Sequence, residues 1–156
     1  MNSASATFSN GFLAVFWGGL ACGVLDITQA FVAWGFQGVK PVAILRHIAS
    51  GLLGDKAFKG GLGTAVLGAA LHFLIAFGAA AVYYAASRKL TFLTQWAVLS
   101  GLLYGEAVFL FMHFIVVPLS AAQRSPFSIP LLITGPIGHM FLVGLPIAVA
   151  VRRYSG

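Results

Sequence analysis

The chain of 156 residues carries only three acidic side chains, Asp26, Asp55 and Glu106, and a single cysteine, Cys22. Charged residues of both signs make up 8% of it, against roughly a quarter in an ordinary soluble domain. That scarcity excludes a water-soluble globule. One cysteine excludes an internal disulfide, a CxxC redox pair and a cysteine-rich metal site. A phosphate-binding glycine loop, a GxSxG elbow and an HExxH pair are also missing. Ser50 and Ser120 have no evident histidine and acid partners, so hydrolysis is not expected. The nine Lys and Arg residues give a formal charge of +6, but they flank apolar runs rather than gather in a patch. They fit topology signals and lipid headgroup contacts, with no nucleic acid as partner.

What is abundant is apolar surface: 60% of residues are hydrophobic and the mean hydropathy is +0.96. The expectation is an all-α membrane protein, one domain over 1–156, with four spans at about 11–36, 61–87, 96–118 and 131–151. Gly19-Leu20-Ala21-Cys22 looks like a lipoprotein cleavage box. No basic residue precedes it and the apolar run continues beyond Cys22, so the first helix is expected to be retained. Within that helix Gly19, Cys22, Gly23, Asp26 and Ala30 recur every three or four residues, a stripe for close helix contact.

The segment 37–60 differs from the spans. Pro41 suits a first helical position, and over 41–53 Leu45, Ile48, Ala49 and Leu52 share one face while Arg46 and Ser50 lie opposite. That pattern predicts a short interfacial amphipathic helix, with Lys40, Arg46, Lys56 and Lys59 as membrane-surface contacts and His47 turned to the headgroups. Tyr83 and Tyr84 before Arg88-Lys89 mark a membrane exit. Arg88, Lys89, Arg152 and Arg153 would share one side, with Lys40, Arg46, Lys56, Lys59 and Arg124 on the other. The tight clustering of the first four at helix ends places both termini in the cytoplasm.

The chemistry lies in the ionisable groups inside the spans. With span centres near residues 24, 74, 107 and 141, Asp26, His72, Glu106 and His139 fall within roughly 5 Å of the midplane. His113 lies on the same helix face as Glu106, two turns further on. The halves echo each other, with Gly19-Leu20-x-x-Gly23 before Asp26 and Gly101-Leu102-x-x-Gly105 before Glu106. Gly68-x-x-x-His72 likewise parallels Gly135-x-x-x-His139, each glycine leaving room beside the imidazole for a helix, a water or a flat ligand.

Such groups in hydrocarbon are costly and mark proton or ion paths. The main expectation is a buried polar site of His72, His113, His139, Glu106 and Asp26 that handles protons or a small cation. Two alternatives stand beside it. One is a redox subunit in which His72 and His139, or His113, hold haem b or a divalent metal. The other is a structural accessory subunit, each histidine bonded to a hydroxyl or carbonyl for about 0.6 kcal/mol. Small-residue faces on several sides leave association with further copies, or with a membrane complex, open.

Gly101-Leu102-Leu103-x-Gly105, His113, Pro118-Leu119, Phe127, Pro130, Gly138-His139 and Arg152-Arg153 resemble the second half of the YagU family of bacterial inner-membrane proteins. The resemblance covers most of the chain and is clearest from Gly101 onward. It implies a multi-pass protein of the bacterial inner membrane and no assigned biochemical activity. The positions it carries over are His72, His113 and His139. Asp26 and Glu106 are not part of the family pattern, which moves weight within the third span from Glu106 to His113.

Overall fold

The computed structural model describes residues 3–122 and 135–154, with side chains from Asn10 onward. Arg124, Phe127, Pro130 and the expected start of the fourth span near Leu131 lie outside the described residues. Five helices organise the rest: α1 (Ser3–Gly35), α2 (Pro41–Leu53), α3 (Gly61–Ser87), α4 (Ala97–Leu119) and α5 (Gly135–Tyr154). All but α2 are long and apolar enough to cross a bilayer, at 26 residues within α1 (Asn10–Gly35), then 27, 23 and 20. The chain is an all-α, multi-pass membrane protein.

Neighbouring helices run antiparallel. Gly11 meets Tyr84, Gly19 meets Phe77 and Gly23 meets Phe73, so α1 and α3 pass in opposite directions. Gly18 against Ile147 and Gln29 against Gly138 do the same for α1 and α5. Gly101 against Ala148 and Gly105 against His139 complete the set for α4 and α5. The start of α1 and the end of α5 therefore share one side, and α2 lies on the other. Without a hydrophobic drive between helices in lipid, close backbone approach holds such bundles together. The core accordingly consists largely of small residues, including Ala14, Cys22, Ala80 and Ala148, around Ile147, Val151 and Tyr83.

The two glycine pairs that echo each other in sequence are used differently. Gly19 and Gly23 receive phenyl rings from α3, whereas Gly101 and Gly105 receive the backbone of α5.

Two stretches widen from α-helical to π-helical geometry, Met112–Val116 in α4 and His139–Gly144 in α5. Each ends two residues before a proline, Pro118 and Pro146. A proline in a helix has no N–H to give and its ring presses on the carbonyl four residues back, here Phe114 and Leu142. A local π turn is one way a spanning helix re-satisfies the freed groups. The prolines thus set the stretches that carry His113 and His139.

The helix over Pro41–Leu53 forms as expected, but its buried face is rotated. Ile44, Ala49 and Ser50 are buried, while Leu52 is 63% exposed. The cause is a backbone contact: the Leu45 carbonyl and the Ala49 N–H lie over Gly68 of α3. Only small residues allow that approach, so Ala49 and Ser50 turn inward and Leu52 is displaced outward. Ser50 is satisfied locally, its hydroxyl donating to the His47 carbonyl at 2.6 Å. Arg46 Nε donates to the Gly61 carbonyl at 3.0 Å, and the Ala121 N–H donates to the Gly51 carbonyl at 2.9 Å. These bonds tie α2 to the start of α3 and the end of α4. Gly54, at φ 59°, ends α2 in a conformation that glycine adopts freely.

Candidate functional site

Beneath α2 the helices line a partly open cavity of about 280 Å³. Its wall takes Cys22, Asp26 and Trp34 from α1, His47 from α2, His72 from α3, Met112 from α4 and His139 from α5. Most of the remaining lining is aliphatic. Asp26, His72 and His139, three of the five groups expected in the buried site, are brought to one space.

His72 Nε2 lies 2.8 Å from the Gly23 carbonyl of α1, and His139 Nδ1 lies 3.0 Å from the Gly135 carbonyl one turn earlier on α5. A carbonyl oxygen only accepts, so these nitrogens carry the protons. In the neutral imidazoles the other two, His72 Nδ1 and His139 Nε2, are acceptors. The glycines one turn before these histidines serve close packing. Gly68 faces the α2 backbone and Gly135 faces the ring of Phe109.

Glu106 and His113 do not line this cavity. Gly105 turns toward α5, which sends Glu106 to the flank of α4 away from α3. There Glu106 Oε2 is buried with no hydrogen-bond partner among the described residues. His113 stacks on Phe109, rings 5.6 Å apart and 11° from parallel. Phe109 meets His139 edge-on at 5.3 Å on its other contact. A phenyl ring therefore stands between His113 and His139.

No family model, curated protein or solved structure matches the chain.

The sequence reading turned His47 to the headgroups and left it out of the site. The residue is exposed, yet it lines both the inner cavity and an outer pocket of about 270 Å³ formed with Val39, Ala43 and Phe58. Trp34 and Ile44 are the other walls common to both spaces. The two spaces thus lie side by side on the α2 side, with His47 in the wall of each. The available signal was the spacing of Ile44, His47 and Ile48, which puts an imidazole on an apolar helix face. Lys40, Lys56 and Lys59 are exposed on the same side of the bundle.

The bond from His72 to Gly23 is a link between α1 and α3. His72→Leu is expected to lower stability by about 0.6 kcal/mol, the mean for such bonds in a membrane bundle. Reversible unfolding in mixed micelles, followed by circular dichroism, measures it. A loss several times larger would show that His72 holds more than one helix contact.

Proposed function

We propose that the cavity beneath α2 is a proton-handling site, with Asp26 as its carboxylate and His47, His72 and His139 as its imidazoles. The observation that carries the reading is one carboxylate and three imidazoles, from four helices, lining one cavity. Ionisable groups within spans mark proton and ion pathways by default. An imidazole anchored through one N–H keeps its second nitrogen as a proton acceptor.

A bound metal cation is supported less well. Among the described residues no three His, Cys, Asp or Glu side chains converge as a metal site, and zinc takes at least three such ligands. Haem between His72 and His139 also fits poorly. His72 Nε2 is engaged by Gly23, and about 280 Å³ falls below the roughly 300–1,000 Å³ of pockets for larger ligands.

The likeness to YagU proteins supports a bacterial inner membrane as the location. Arg88, Lys89, Arg152 and Arg153, at helix ends on one side, support cytoplasmic termini. In that orientation the outer pocket at His47 lies on the external side.

The test is proton flux into liposomes that hold a pH-sensitive dye. The reconstituted chain is expected to dissipate an imposed pH gradient, and Asp26→Asn to slow it about a hundredfold, the scale of one proton-transfer group. His113→Ala, beyond Phe109, is expected to leave the rate unchanged. Flux no faster than in protein-free liposomes would reject the proposal.

A further inference from the structure

Three of the four seams of the bundle are closed by glycine contacts, at Gly19 and Gly23, at Gly18 and Gly138, and at Gly101, Gly105 and Gly144. The fourth, between α3 and α4, is held where Tyr104 donates to the Ala79 carbonyl at 2.8 Å and meets Tyr83 edge-on at 4.9 Å. Toward the α2 side these helices part around an apolar crevice of about 490 Å³. Ile75, Ala79, Val108 and Met112 are walls of both this crevice and the cavity of Asp26. Both flanking helices are spans, so the crevice faces hydrocarbon.

The polar end has a defined sign. The N–H groups of His72 and His139 are spent on carbonyl oxygens of Gly23 and Gly135. What neutral imidazoles then offer a ligand is acceptor nitrogens, beside the Asp26 carboxylate. Their complement is a hydrogen-bond donor with positive charge. An aliphatic crevice that shares four wall residues with a cavity offering acceptors and a carboxylate matches a molecule with a hydrocarbon tail and an N–H cation.

We infer that cavity and crevice form one binding site for a lipid-soluble ammonium ion, taken sideways from the bilayer. Its head lies in the cavity, paired with Asp26 and with His72 and His139 on the surrounding wall, and its tail occupies the crevice between α3 and α4. The inference rests on the cavity being a proton-handling site, because ammonium and proton compete for the same acceptors. Lipid tails are as apolar as these side chains, so the head supplies the affinity and the crevice supplies the room. A phospholipid amine is a poorer occupant, since its phosphate would bring a second negative charge toward Asp26.

The experiment uses the full chain in phosphatidylcholine nanodiscs, where no lipid amine competes. Radiolabelled dodecylammonium and ethylammonium are each followed by equilibrium dialysis, with protein-free discs as the correction. Dodecylammonium is expected to bind saturably, one per chain, and Asp26→Asn to weaken it about tenfold or more. Ala107 is exposed on the crevice wall, so Ala107→Trp fills the crevice without entering the core. It is expected to weaken dodecylammonium about tenfold and to leave ethylammonium, which needs no crevice, unchanged.

Three results overturn the inference: no saturable binding above empty discs, equal dodecylammonium binding in wild type and both variants, or an equal effect of Ala107→Trp on long and short amines. Proton flux measured on the same preparations separates the two readings. Flux that still depends on Asp26 leaves the proton site standing without its ammonium ligand.

Discussion

Replacing Gly105 with valine is expected to part α4 from α5 and cost about 3 kcal/mol or more, the upper end for overpacking. A Cβ at Gly105 would meet the His139 carbonyl and the Met140 Cα, and one at Gly144 would meet the Gly101 carbonyl and the Gly105 nitrogen. All of these atoms are backbone, so no rotamer change relieves the overlap and the helices themselves must move. Separation would forfeit dispersion contacts at Val143, Ile147 and Ala148, three of the buried side chains of α5. The control lies in the same chain. Nothing lies within 4 Å of a Cβ built at Gly63 or Gly78, and alanine there is expected to stabilise α3 by about 0.5–1 kcal/mol. Unfolding in mixed micelles, followed by circular dichroism, should order the variants as Gly78→Ala, wild type, Gly105→Val. A Gly105→Val protein as stable as wild type would disprove the seam.

Glu106→Met is expected to have the opposite sign. Glu106 Oε2 is buried without a hydrogen-bond partner among the described residues. An unsatisfied buried polar group costs about 1–3 kcal/mol, and methionine has a similar length with no group to satisfy. The variant is expected to be more stable than wild type by about that amount. Because Glu106 is off the cavity wall, proton flux should persist. If Glu106→Gln stops the flux and His113→Ala does not, the midplane depth of Glu106 outweighs its direction, and the site must be redrawn around it.

Glu106 shows where sequence reasoning stops. Its depth was legible, because each residue advances a helix by a fixed 1.5 Å, and Glu106 does follow Gly105, which packs level with His139. Its direction was not, because a helix with small residues on several faces has no single apolar stripe to set its rotation. The contact of Gly105 with the His139 backbone chose the rotation, turning Glu106 aside and placing Val108 and Met112 on the cavity. The α2 helix repeats the lesson. Its span was legible from Pro41 and the apolar spacing, but its inward face was decided by Gly68, a partner far along the chain.

The prolines lie between these cases. Pro118 and Pro146 are plain in the sequence, and a proline inside a helix removes a hydrogen bond wherever it stands. The π turns before them, which hold His113 and His139, depend on how each freed carbonyl finds a new donor.

By itself, then, the sequence determined the membrane class, the four long apolar helices, the short helix between the first two, and the order of the ionisable groups along them. Composition and axial rise are properties of one chain segment and need no partner. Only the tertiary structure decided that Asp26, His47, His72 and His139 line one space and that Glu106 and His113 do not. Azimuth is set between helices, by whichever backbones glycine lets touch.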